Sequence, residues 1–205
     1  MTTAILLFGY PGSGKGTALN VAEQHNTPTI SMGDVVRTAA KRAYSITDDP
    51  SELDTIDNDI VGPYATTMRE LHGFDVMAKL TVKQIQESPL KNSDVIVVDG
   101  LRGVPEVEVM TENFDKVMTV YIKANQKTRL QRLQNRARDE SESNLTIDGL
   151  QERDEREGKW GLDELAEQDQ YDVALRNEGS LNEFKAKVTD LLENYLRTDP
   201  NSTLQ

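Results

Sequence analysis

Five stretches of the chain carry strand-like patterns: AILLFG (4–9), PTIS (28–31), DVIVVDG (94–100), KVMTVYIKA (116–124) and YDVALRN (171–177). Several are continuous apolar runs rich in Val, Ile and Leu, with no polar alternation. Such runs suit strands of a parallel sheet covered on both faces. Helical patterns lie between them, over 15–25, 34–44, 124–138 and 180–197, with 148–167 helical in pieces. Residues 61–88 predict two helices broken near HGF (72–74). Strands alternating with helices imply an α/β fold with right-handed crossovers. Two acidic, polar segments, 45–60 and 139–149, read as loops or mobile covers, and TDPNSTLQ (198–205) is expected to fray.

Length and charge bound this picture further. A chain of 205 residues suits one domain, or one domain with a small inserted subdomain. It has no cysteine and two histidines, His25 and His72, which exclude disulfides and Cys-ligated metals and disfavour a histidine zinc site. No run approaches the ~18 apolar residues of a membrane span. AILLF lacks a basic flank and is not read as a signal peptide, so a cytoplasmic location is expected. The net charge of −12 fits a solvated acidic surface, adaptation to the salty cytoplasm of a halophilic archaeon, or a basic partner. It argues against a nucleic-acid binder, which presents basic patches.

The chemistry centres on GYPGSGKGT (9–17). A polyphosphate is best held by backbone N–H groups, and these approach closely only where side chains are absent. Gly9, Gly12 and Gly14 give that freedom. The helix that follows offers unpaired N–H groups and a partial positive charge. Lys15 then reaches the β- and γ-phosphates, in the Walker A order of strand, glycine loop, lysine, helix. Tyr10, Pro11, Ser13 and Gly16 complete the loop. The strict pattern places a hydroxyl directly after the lysine. Here Gly16 stands there, and the hydroxyl comes one place later, at Thr17, a phosphate contact. Asp99 ends the run VIVVDG, where a carboxylate can orient the waters of Mg²⁺. Thr17 and Asp99 are therefore the metal candidates.

GYPGSGKGT resembles the phosphate loop of adenylate kinases and related nucleoside monophosphate kinases. ISMGDVVRTAA (30–40) resembles their acceptor-binding stretch, and DVIVVDGLRG (94–103) their strand ending in an aspartate followed by a phosphate-binding arginine. RLQNR (132–136) resembles the arginine pair that opens the lid. RNEGSLNEF (176–184) resembles the adenine-contacting loop, and its counterpart in dephospho-coenzyme A kinases. Overall the chain is most similar to an archaeal group of adenylate-kinase-like ATP-binding proteins of unsettled substrate. The resemblance implies a three-layer P-loop fold with a five-stranded parallel sheet of order 2-3-1-4-5. It implies one kinase domain over 1–197, with an acceptor-binding insertion near 34–90 and a lid near 126–160.

It also implies roles. Arg37 and Arg102 would clamp the acceptor's phosphate, although Arg102 follows Asp99 by three places where the family pattern has four. Asp34 either orients the acceptor or its arginine, or caps a helix. Arg129, Arg132 and Arg136 share one helix face. Arg132 and Arg136 would neutralise charge on the transferring phosphoryl group, while Arg129 and Arg138 read as surface residues. Arg153 and Arg156 are open between the lid and surface ion pairs, and Trp160 between packing and stacking on an acceptor base. Met32 replaces the threonine that adenylate kinases commonly place beside AMP.

The expected activity is therefore transfer of the ATP γ-phosphoryl group, with Mg²⁺, to a nucleoside monophosphate or a nucleotide-like acceptor such as dephospho-coenzyme A. Lys15, Asp99, Arg132 and Arg136 are the expected catalytic set. The alternative is a regulatory P-loop protein that hydrolyses ATP slowly and needs no acceptor pocket.

Overall fold

The computed structural model describes residues 2–44, 58–137, 140–167 and 170–198. Strand β1 (Thr3–Phe8) feeds the glycine loop and then helix α1 (Lys15–Gln24). Strand β2 (Thr29–Ser31) runs directly into α2 (Met32–Ala43). Helices α3 (Asn58–His72) and α4 (Val76–Gln86) follow, separated at Gly73, whose φ of 97° ends α3 as the HGF break anticipates. Then come β3 (Val95–Leu101), α5 (Val104–Asn113), β4 (Lys116–Lys123) and α6 (Gln126–Arg136). The chain continues through α7 (Glu140–Ser143), α8 (Ile147–Glu157), a π turn over Gly158–Leu162, α9 (Asp163–Leu165), β5 (Val173–Arg176) and α10 (Leu181–Thr198).

The sheet is parallel throughout, in the order β2-β3-β1-β4-β5, as expected. The continuous apolar runs are explained by burial on both faces. In β1, Ala4, Leu6 and Phe8 pack with α2, α4 and α5, while Ile5 and Leu7 pack with α1 and α10. One register irregularity matters for the site. Leu7 pairs with Asp99 but Phe8 pairs with Leu101, so Gly100, at φ 104°, is the extra residue of a bulge. Bulges of this kind re-aim side chains at strand ends, and here the affected end carries Asp99.

Two sequence readings need correction. Residues 139–149 are not simply a loop. Glu140–Ser143 is helical and α8 begins at Ile147. The reason is a small satellite core in which Leu145 and Leu150 pack with Leu133 of α6. Helix α5 was not expected. Its Val109 and Met110 are buried, but the short VPEVEV alternation hides the helical period. Residues 58–60 of the 45–60 segment open α3. Its residues 45–57, and the tail 199–205, lie outside the described residues. No helix among the described residues is long and apolar enough to cross a membrane.

Candidate active site

The glycine loop is fixed by contacts that leave no room for side chains. Gly9, Gly12 and Gly14 all have positive φ, at 144°, 79° and 113°. A Cβ on Gly9 would collide with the Ile122 carbonyl, and one on Gly14 with the Asn177 amide. Gly16 is different, with ordinary φ and nothing within 4 Å of a Cβ. Lys15 is the first residue of α1, and its ammonium donates to the carbonyls of Gly9 at 2.6 Å and Tyr10 at 3.4 Å. These are neutral acceptors that a phosphate oxygen outcompetes. Burial, with Arg102 in support, lowers the Lys15 pKa to about 8, against the opposing pull of Asp99 and Glu157.

Other loop residues make the connections. The Ser13 carbonyl accepts from Asn177 Nδ2 at 2.7 Å and from Arg132 at 3.4 Å. Arg132 also donates to the carbonyl and Oδ1 of Asn177, at 3.0 and 3.1 Å. Helix α6, the glycine loop and the loop before α10 thus share one knot of hydrogen bonds. Arg129 is not a surface residue. It is 5% exposed, donates to the Pro11 carbonyl at 3.2 Å, pairs with Asp154 and lies over the Tyr10 ring at 5.2 Å. The Tyr10 hydroxyl in turn donates to Asp163.

A cavity of about 820 Å³ opens over Lys15. Thr17, Asp34, Arg37, Asp99, Arg102, Arg132 and Arg136 all line it, so the structure brings the expected site residues together. Asp99 has a buried oxygen, Oδ1, with no hydrogen-bond partner, and burial raises its pKa against the pull of Lys15 and Arg102. An orphaned carboxylate oxygen lining the same cavity as Thr17 fits a hydrated Mg²⁺, which Asp99 and Thr17 would hold and which would neutralise phosphate charge when bound. Asp34 is not a helix cap: Ser31 occupies that position, and Asp34 pairs with Arg37 at 2.8 Å.

Sequence reasoning missed the carboxylates that hold the arginines. Arg102 pairs with Glu157 at 2.7 Å, and its backbone N–H donates to Glu106 at 2.5 Å. Glu106 also accepts from Arg69 at 2.8 Å, in an ion pair with both side chains almost fully buried. Arg136 and Arg153 both approach the buried Glu142 of α7. Trp160 lies beneath Arg69, 4.5 Å from ring centroid to guanidinium carbon, and Arg156 stands 5.8 Å from the same ring. Trp160 therefore both packs against the core and lines the cavity. No motif marks Glu106 or Glu157, which sit among many exposed acids of similar spacing.

Comparison with known proteins places this geometry. The AAA domain family model matches residues 8–150. A UPF0200 protein of Methanosarcina acetivorans is 36% identical over 97% of this chain and 98% of its own length. The chain belongs to the UPF0200 family. Another member, from Methanosarcina barkeri, is 35% identical over 96% of this chain and 98% of its own. In Archaeoglobus fulgidus a UPF0200/UPF0201 protein is 38% identical over 92% of this chain, which spans 54% of that protein.

Among solved structures, shikimate kinase from Bacteroides thetaiotaomicron superposes with a TM-score of 0.57, at 17% identity, over 93% of this chain and 98% of its own. TT1252 from Thermus thermophilus gives 0.56 at 15% identity, over 94% and 97%. At such identities these likenesses establish the P-loop kinase fold alone. The expected adenylate-kinase-like archaeal family thus agrees with the findings at the level of a P-loop kinase-like fold with archaeal relatives.

Proposed function

We propose that this UPF0200 protein is a Mg·ATP-dependent small-molecule kinase. The observation that carries this reading is the extent of the cavity. It begins at the phosphate loop and Lys15, and continues past Asp99 to a second wing formed by α2 and α3, lined by Met32, Arg37, Arg69 and Trp160. A nucleotide-dependent switch has no use for that second wing.

In this reading the loop amides and Lys15 grip the polyphosphate of ATP. Arg132 and Arg136 stabilise negative charge on the moving phosphoryl oxygens. The α2–α4 insertion holds a small, nucleotide-like acceptor, with Arg37 and Arg102 near its reacting end. Helices α6 to α8 form the lid that excludes water. The acidic surface and archaeal relatives support a protein suited to high salt.

ADP production in high potassium chloride tests the proposal, with and without a panel of nucleoside monophosphates, nucleosides and dephospho-coenzyme A. Acceptor-stimulated turnover that Lys15→Ala abolishes is the expected result. Slow turnover indifferent to every acceptor would return the protein to the class of nucleotide-dependent regulators.

A further inference from the structure

We infer that the acceptor offers a neutral hydroxyl, not a phosphate oxygen, to the γ-phosphoryl group, and that the Glu157 carboxylate takes up the hydroxyl proton. This rests on the kinase reading above and narrows it.

The argument is one of charge. A phosphate acceptor arrives as a dianion and needs arginines free to receive it. In the acceptor wing those arginines already have carboxylate partners, and for Arg69 and Arg102 the partner is buried. Arg37 is paired with Asp34, Arg69 with Glu106 and Arg102 with Glu157. Arg156 is the arginine there without a carboxylate partner among the described residues, and it can receive one anionic group away from the reacting atom. Its place beside Gly62 and Trp160 puts it on the α3 side of the cavity.

Two carboxylates that act on Lys15 strengthen the case. Asp99 comes from the end of β3 and Glu157 from the end of α8, and both line the cavity. Both act electrostatically on Lys15. Glu157 is 6% exposed, so its charge is little screened by water. The charges of Glu157 and Arg102 offset each other, so the pair offers no net positive charge to draw in a dianion, whereas a neutral hydroxyl needs only a carboxylate oxygen to take its proton. Asp99 suits the hydrated metal, and Glu157 is left for the proton. A phosphate oxygen has no proton that must be removed; an alcohol does.

The step balances without any further reactant. The hydroxyl oxygen forms a bond to Pγ as the bond from Pγ to the bridging β–γ oxygen breaks. ADP leaves with that electron pair. The hydroxyl proton passes to Glu157 and then to solvent, and the product is a phosphate monoester.

Two measurements decide the matter. Water is the smallest hydroxyl acceptor, so Mg·ATP hydrolysis is measured in single turnover for the native protein and for Glu157→Gln, which keeps the shape and loses the charge. Hydrolysis should fall about 100-fold or more in the variant, measured well below its melting temperature, which drops because the buried pair with Arg102 loses its charge. An unchanged rate overturns the inference.

Second, labelled phosphoryl transfer from Mg·ATP is followed to the four ribonucleosides, their 5′-monophosphates and dephospho-coenzyme A. Label in a monoester that survives hot acid supports the inference. Label in an acid-labile diphosphate overturns it and leaves the kinase reading standing. If the native protein binds Mg·ATP yet passes label to neither water nor any of these compounds, the kinase reading itself fails.

Discussion

Arg129 holds Asp154 through both terminal guanidinium nitrogens, at 2.9 and 2.5 Å. The first of these nitrogens also reaches the Pro11 carbonyl. Helix α8 and the glycine loop are therefore joined through one side chain of α6. Asp154→Asn leaves Arg129 buried beside a neutral amide. Loss of one partner from a buried pair costs about 3 kcal/mol. The expected outcome is an unfolding free energy lower by that order, read from the denaturant transition, together with weaker Mg·ATP binding, because the loop loses its brace. Full stability with weakened binding would show that the pair serves the ligand alone.

Arg69 and Glu106 are a second buried pair. Burial raises the Glu106 pKa and lowers that of Arg69, and each is opposed by its partner. Arg69→Met strands a buried carboxylate and should destabilise by roughly 3–5 kcal/mol. The double variant Arg69→Met, Glu106→Gln should recover much of that loss, read by chemical denaturation as a double-mutant cycle. Its Trp160 fluorescence should also change, since the guanidinium over the ring is gone.

Lys15 makes nucleotide binding depend on pH. Its pKa in the free protein is about 8, below the ordinary 10.5. Bound phosphates favour the ammonium and raise that value again. Below pH about 7 the lysine is already charged, and binding takes up almost no proton at this site. Above about 8 the free protein has lost the proton, so binding takes up a growing fraction of one and affinity falls as pH rises. Calorimetry in buffers of different ionisation enthalpy measures the uptake, which Lys15→Ala should abolish. The same shift has a sign for folding. Between about 8 and 10.5 the unfolded chain binds more protons than the folded one, so this group's contribution to stability rises with pH there.

The loop glycines divide into two kinds. Gly14→Ala should abolish Mg·ATP binding and lower stability, because the new methyl meets the Asn177 amide at a left-handed φ. Gly16→Ser should fold with its melting temperature within about 2 °C of the native protein, as for an open surface position. It would also place a hydroxyl directly after the lysine, and a stronger Mg²⁺ dependence of ATP binding is expected. Titration of both variants with Mg·ATP checks the pair.

The sheet and the phosphate loop were legible because their physics is local. Apolar runs such as VIVVD announce buried strands, and GYPGSGKGT states its need for bare backbone in its own composition. Helix α5 and the helical turn at Glu140–Ser143 were not legible. Both are stabilised by a few apolar contacts to distant elements, which no local period reveals. Arg129 and Arg132 illustrate the harder limit. They lie three residues apart on one helix, yet one is buried on Asp154 and the other reaches into the cavity. Which arginine points to ligand and which to an acid is decided by partners on α8 and before α10, more than twenty residues away. The paired carboxylates, Glu106 and Glu157, were invisible for the same reason.

One contact between glycines has a mechanical meaning. A Cβ on Gly103 would lie 2.9 Å from the Trp160 carbonyl, and one on Gly161 would lie 3.1 Å from Gly103 Cα. The strip bearing Arg102 and the strip bearing Trp160 therefore touch main chain to main chain, with no compressible padding between them. A side chain at either glycine would prise the two strips apart, so the spacing between these two walls of the vestibule is set by two absent methyl groups.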